Sequence, residues 1–79
     1  MRSFKLTAVI WKEEKDFVSK CPELGVASCG ETVESAFENL REAIELYLEN
    51  ARELGIIEDL ENELKSTEKF TSPIEVIVK

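Results

Sequence analysis

The sequence contains no histidine, only two cysteines and no long apolar run, and each shortage removes a class of function. Without histidine, the chain lacks the most common general base of enzymes and a frequent zinc ligand. Cys21 and Cys29 are too few for a disulfide scaffold and cannot complete a four-ligand zinc site within one chain. We therefore expect no metal and no cofactor. The two thiols are either plain small side chains or a redox-sensitive pair.

Apolar residues are spread through the chain, and no run of them approaches the roughly 18–20 residues that span a bilayer. No signal-peptide pattern opens the sequence either, so we expect a soluble, cytoplasmic protein. The length of 79 residues predicts one small domain, residues 1–79. A domain of this size buries only about 60% of its unfolded surface. Because such a core gains from assembly, we expect a homodimer or a higher homo-oligomer.

Acidic side chains outnumber basic ones, and the net charge is −7. The imbalance is uneven, because residues 1–22 carry five basic and three acidic side chains while residues 23–79 carry five basic and fourteen acidic ones. Such a surface repels phosphate backbones and attracts basic partners. We expect no direct binding of nucleic acid by this chain.

The N-terminal part of the chain predicts an antiparallel three-stranded meander. Residues 4–11 alternate between two faces as a strand does, and a polar stretch at 12–16 predicts a hairpin loop. A second strand follows at 17–21. Proline and glycine in 22–25 favour a turn, after which 26–29 form a short third strand. On the first strand, Val9 and Trp11 give the second sheet face an apolar character, which marks them as a candidate oligomer interface.

From Val33 the apolar period changes from two to about 3.6, which predicts a long helix. Thr32 is a suitable N-cap, Glu34 suits the first turn, and Gly55 can end the helix as its C′ residue. The apolar face comprises Val33, Ala36, Phe37, Leu40, Ala43, Ile44, Tyr47, Leu48, Ala51 and Leu54.

A shorter helix is predicted at roughly residues 57–65, followed by a loop at 66–72. Pro73 then opens a last strand at 74–78, since proline is tolerated at the first position of a strand. The fold class is therefore α+β, in the order βββ-α-(α)-β. We expect a mostly antiparallel four-stranded sheet with one long helix on one face, and a right-handed crossover that makes the last strand parallel to a strand of the meander.

Six glutamates on the long helix are separated by four, four, three, four and four residues, so they share one face roughly opposite the apolar one. One interpretation is a solvated face that keeps the protein soluble. The other is an electrostatic docking surface for a basic protein partner. These candidate partner-binding residues, called the acidic stripe below, are Glu34, Glu38, Glu42, Glu45, Glu49 and Glu53.

An enzyme is not expected, and no catalytic residue is assigned. The sequence has no glycine-rich phosphate loop and no Cys–His or Ser–His–Asp set. The first strand carries no acid, and the only aspartates are Asp16 in a loop and Asp59 in the second helix. Metal-dependent cleavage of RNA that depended on either aspartate would overturn this expectation.

The stretch from Phe17 to Leu48 resembles the HicB family of antitoxins. The family pattern is an extended segment, a Pro-Glu-Leu-(Pro)-Gly turn, a short strand and Gly-Glu/Asp-Thr before a helix, which here correspond to 17–21, 22–25, 26–29 and 30–32. The following helix resembles the family's EA-x-x-N-x-x-EA-I-x-L helix. The first and last predicted strands fit the family's element order as well.

The resemblance implies a partial RNase H-like fold without the catalytic acids of the nuclease. It also implies the antitoxin role in a type II toxin–antitoxin pair, in which HicB binds a small basic HicA-type ribonuclease and covers its active site. Full-length members usually continue into a helix-turn-helix or ribbon-helix-helix domain. None follows the last predicted strand here, so we expect a short stand-alone member that does not repress its own operon. The alternative is a homo-oligomeric protein-binding or scaffold module of the same fold with no toxin partner.

Overall fold

The computed structural model of the chain describes residues 3–65 and 68–79. The protein is an α+β fold with a three-stranded antiparallel sheet and two helices. The strands are β1 (Val9–Glu13), β2 (Asp16–Cys21) and β3 (Val26–Gly30), and the helices are α1 (Val33–Glu53) and α2 (Ile57–Glu63). Across the described residues, no helix is both long enough and apolar enough to cross a membrane.

The three strands form the predicted meander in the order β1-β2-β3. The predicted loop at 12–16 is wrong in extent, because Lys12, Glu13 and Asp16 join the ladder. Only a tight turn at Glu14 and Lys15 separates the strands, with Glu14 at a positive φ of 52°. The first strand is also displaced from the prediction, since residues 4–8 lie outside it. Alternation alone locates a strand without fixing its ends, which depend on the partner strand.

Strand register assigns the sheet residues to two faces. Ile10 lies opposite Ser19, which lies opposite Ser28, and this row faces α1. The next row, Trp11, Val18 and Cys29, points the other way, because successive side chains alternate across a sheet. Neither helix packs on this second face within the described residues.

Both ends of α1 form as the sequence predicts. Thr32 is the N-cap, and its hydroxyl accepts a hydrogen bond of 3.0 Å from the Ser35 backbone N–H while Ser35 Oγ accepts one of 2.9 Å from the Thr32 N–H. At the other end Gly55 has φ of 76° and donates to Arg52 O, while Ile56 donates to Ala51 O. These two bonds form a Schellman motif, which uses the left-handed conformation that glycine adopts without strain.

The core is small and lies between α1 and strands β2 and β3. Its fully buried apolar members are Cys21, Ala36, Leu40 and Ala51. Ser19 is buried with them, and its hydroxyl donates a 2.8 Å hydrogen bond to Ala36 O on α1. This bond satisfies the one buried polar side chain of the described core and fixes the helix over the middle of β2.

Two features, a glycine on β3 and a hydrogen bond from α1, allow the start of α1 to lie close to β3. Gly30 ends β3, and a Cβ placed on it would touch Ser35 Oγ and lie 2.5 Å from Ala36 N and 2.7 Å from Ser35 C. One turn later, Asn39 Nδ2 donates a 2.8 Å hydrogen bond to Cys29 O. The absence of a side chain at Gly30 therefore sets how closely the helix approaches the strand.

The predicted fourth strand is not part of this sheet. Within the described residues, 74–78 belong to no strand, and their apolar side chains are 72–88% exposed. Residues 68–72 are likewise irregular, as predicted, while positions 66 and 67 of the predicted loop lie outside the described residues. A strand exists only through hydrogen bonds to a neighbour, so the apolar character of 74–78 does not by itself create one.

Candidate protein-binding surfaces

Glu23 joins three separate segments of the chain. Its carboxylate accepts hydrogen bonds of 3.1 Å from the Thr7 backbone N–H to both oxygens, and the Thr7 hydroxyl donates to Oε2 at 2.7 Å. Lys69 Nζ lies 2.6 Å from the same Oε2 and also donates to Lys5 O at 2.6 Å. The turn after β2 is thereby tied to the N-terminal residues 4–8 and to the C-terminal segment 68–79.

The electrostatics of Glu23 follow from these contacts. Burial, which leaves the side chain 14% exposed, raises its pKa, but the bonds from Lys69 and Thr7 outweigh burial and lower the pKa from 4.5 to about 2. Burial also raises the pKa of the neighbouring Cys21 thiol, whose Sγ lies 3.5 Å from Glu23 Oε1. Glu23 thus acts as a structural anion here, and Cys21 is held in its neutral form.

The acidic stripe lies on the exposed side of α1. All six glutamates of the stripe are exposed. Arg41 lies between Glu38 and Glu45, at 3.2 Å and 3.7 Å from one carboxylate oxygen of each. Because these pairs are more than half exposed, solvent screens them and they contribute little to stability. The stripe is therefore an accessible negative surface on a helix whose other side is anchored by Ser19 and Asn39.

The uncovered sheet face contains both residues predicted as an oligomer interface. Val9 is 36% exposed and Trp11 is 39% exposed, which is high for large side chains in a sheet. Trp11 lies in the row with Val18 and Cys29, and its indole Nε1 donates to Glu13 Oε1 at 3.2 Å. The face is apolar along this row and polar at its hairpin end. Its role in assembly stays a prediction.

A second open surface, called the apolar groove below, runs between residues 4–8 and α1. Its volume is about 490 Å³. Phe37 is 48% exposed there, although the helical periodicity places it on the apolar face. The helix lies over β2 and β3 and barely reaches β1, so this side of its apolar face has no strand beneath it. The lining is mostly apolar, and Thr7, Arg41 and Glu45 also contribute to it. The apolar lining residues are Phe4, Leu6, Ala8, Phe37, Leu40, Ile44 and Leu48.

The cysteines and aspartates are placed on different elements. Cys21 is buried on the helix-facing side of β2, whereas Cys29 is exposed on the opposite face of β3. A bridge between them within one chain is therefore excluded by the sheet geometry. Asp16 begins β2 and Asp59 lies in α2. Across residues 3–65 and 68–79, no group of three acidic or cysteine side chains is arranged to hold a metal ion.

The chain matches no protein-family model, no curated protein and no solved structure. Function is therefore inferred from the residues and their placement.

Sequence reasoning located the acidic stripe and the second sheet face but missed the link through Glu23 and the apolar groove. The sequence predicts Glu23 only as part of a turn, because its pairing with Lys69 joins positions far apart in the chain. One signal was present: a carboxylate between Pro22 and Gly25, in a tight turn next to the end of a strand. The groove could not be found from the sequence, because it depends on where the last predicted strand lies.

Proposed function

We propose that this protein is a HicB-like antitoxin, which binds a small basic HicA-type ribonuclease and covers its active site. The observation that carries the proposal is that all six glutamates of the acidic stripe are exposed on a helix that is fixed to the sheet. The family-like residues Gly30, Thr32 and Asn39 support it, since each holds that helix in place. The role requires complementary shape and charge and no chemistry from this chain.

The proposal includes a fourth strand. Residues 74–78 would pair in parallel with the free edge of β1, over the apolar groove, and complete a partial RNase H-like sheet. The apolar groove and the unpaired edge of β1 support this placement, because both need a cover of β-forming apolar residues. The cytoplasmic location and the absence of direct nucleic-acid binding belong to the same proposal.

Charge complementarity predicts how the complex forms. Exposed charges farther apart than about 8–10 Å are screened at physiological salt. Attraction between the stripe and a basic partner should therefore act mainly on the association rate, which electrostatic steering raises by about 10–1,000-fold at low salt. The partner binds RNA through a basic surface that attracts phosphate groups. An acidic helix lying on that surface would exclude the RNA substrate.

Charge reversal of the stripe tests the proposal. The variant Glu38→Lys, Glu42→Lys, Glu49→Lys, which leaves the groove residue Glu45 unchanged, is titrated against the small basic protein encoded by the neighbouring gene, at low and at high salt. We expect the wild-type chain to bind tightly, to bind less tightly at high salt and to abolish the partner's RNase activity. The variant should associate about 10-fold or more slowly at low salt. Circular dichroism checks that its helix content is unchanged.

A matched control carries the same change of charge away from the stripe. Glu14→Lys, Asp16→Lys and Glu63→Lys alter the hairpin and the end of α2 by an equal six charge units, so only the location of the charge differs. This control should retain inhibition of the RNase. Equal loss of binding in both variants would assign the effect to net charge and would contradict docking through the stripe.

The alternative function is a stand-alone, homo-oligomeric binding or scaffold module of the same fold. The exposure of Val9 and Trp11 on the uncovered sheet face favours it, because apolar side chains in such positions usually contact another molecule. Failure of the wild-type chain to bind or inhibit the neighbouring basic protein, or the lack of such a neighbour, would favour this alternative.

A further inference from the structure

The C-terminal segment leaves the body of the molecule just after a firm attachment. Lys69 is fixed to Glu23 and Lys5, and the next two residues lie beside Pro22 and Thr7. Beyond this point the chain makes no strand pairing, and Ile74 and Val78 are 86% and 88% exposed. An exposed segment of four apolar, β-branched residues in this position lacks the neighbouring strand that it would pair with.

The apolar groove is long enough to hold residues 74–78 as an extended strand. Its wall on α1 extends from Phe37 to Leu48, a rise of about 17 Å at ~1.5 Å per residue. In an extended chain the Cα atoms of Ile74 and Val78 are about 13 Å apart at ~3.3 Å per residue, so the segment fits within the length of this wall. Ile74, Val76 and Val78 share one face of such a strand and Glu75 lies on the other, so the apolar face fits the groove.

The course of the chain before the segment directs it away from its own groove. Ser72 precedes Pro73, and a residue before proline is restricted to extended conformations. Ser72 Oγ also donates a 3.1 Å hydrogen bond to Pro73 O. This extended connection leaves residues 74–78 outside the groove of their own chain, where their apolar side chains are 72–88% exposed and accessible to a neighbouring molecule.

We infer that residues 74–78 of one chain fill the apolar groove of a second copy, and that two chains exchange these segments reciprocally. Such a dimer is two-fold symmetric, because each copy gives the same segment and receives it in the same groove. Each exchanged segment adds a strand at the free edge of β1 and covers Phe37. The inference rests on the fourth strand proposed above, and it is independent of the toxin partner.

Light scattering with a matched pair of variants tests whether the segment holds the dimer together. The wild-type chain should have a mass near twice the 9.0 kDa of one chain. Val76→Asp places a charge on the face that enters the groove, at two equivalent sites per dimer. It should raise the dimer dissociation constant by about 100-fold or more. Ile77→Asp, on the opposite face of the same segment, should have a much smaller effect.

Disulfide trapping then identifies which copy receives the segment. In a Cys29→Ser background, a tagged chain with Ala8→Cys is refolded together with an untagged chain with Val76→Cys. A disulfide between the two chains supports the exchange. As the counter-test, one chain carries both new cysteines, and a bridge formed only within a single 9.0 kDa chain would overturn the inference in favour of closure in cis.

Two further outcomes would overturn the exchange. One is a wild-type chain that remains a monomer at all concentrations. The other is a dimer whose dissociation constant Val76→Asp leaves unchanged, which would place the interface elsewhere, such as on the sheet face with Trp11. Because no toxin is present in these measurements, neither outcome affects the proposed antitoxin role. Conversely, an exchanged dimer that fails to bind the neighbouring basic protein would contradict that role alone.

Discussion

Replacing Gly30 with alanine is expected to lower the free energy of unfolding by about 3 kcal/mol, at the upper end of what overpacking costs. The reason is that a Cβ at this position would meet backbone atoms of Ser35 and Ala36, which begin the helix and cannot rotate away as a side chain can. A chain of 79 residues is expected to have a total stability of about 4–12 kcal/mol. The single methyl group should therefore remove a large part of it, as measured by urea unfolding followed by circular dichroism.

Gly25 provides the matched control for this substitution. It has a positive φ of 71°, but a Cβ there would meet nothing within 4 Å. Gly25→Ala should therefore cost only the backbone strain of a left-handed residue, about 1–2 kcal/mol. If Gly30→Ala proved no more destabilising than Gly25→Ala, the close approach of α1 to β3 would not be a determinant of stability.

The second large effect is expected from Glu23→Gln. The pKa of this carboxyl is lowered from 4.5 to about 2, and each unit of difference corresponds to about 1.4 kcal/mol. The ionised carboxylate should therefore contribute about 3 kcal/mol at neutral pH. Because the folded-state pKa is the lower one, this contribution is complete above pH 4.5 and is lost as the pH falls toward 2. Glu23→Gln should remove it at neutral pH and flatten the stability profile over this range.

Chemical denaturation at a series of pH values measures this effect. Glu49→Gln, which changes an exposed carboxyl of the acidic stripe, is the control and should retain the wild-type profile. Lys69→Met separates the ion pair from the bonds that Thr7 donates, and it should remove only part of the stabilisation. A Glu23→Gln protein whose stability still fell between pH 4.5 and 2 as steeply as that of the wild type would contradict this assignment.

The features that the sequence predicted correctly are those with local causes. Thr32 and Gly55 mark the ends of α1 because each acts on backbone groups within one turn of itself. The meander follows from short strands joined by tight turns, which need no distant partner. The acidic stripe depends only on helical geometry, and the structure places all six of its residues on the exposed side of α1.

The features that the sequence did not predict depend on contacts between distant parts of the chain. The alternation of residues 4–8 satisfies the local criterion for a strand, yet the ladder with β2 begins only at Val9. The hydrogen bond from Lys69 to Lys5 O joins positions 64 residues apart, and no local pattern encodes it. The same holds for residues 74–78, whose apolar, β-branched composition predicts a strand without identifying the chain that it pairs with.

The attachment through Glu23 separates the molecule into a central unit that unfolds as a whole and two arms that can open locally. Residues 9–53 are held together mainly by contacts between elements that follow one another in sequence, an arrangement that folds quickly. Residues 4–8 and 68–71 are secured to this unit largely around one carboxylate. Amide hydrogens of the two arms should therefore exchange through a local opening that leaves the meander and α1 intact. Residues 4–8 also form one wall of the apolar groove, so their attachment to Glu23 holds in place the surface at which another chain is expected to bind.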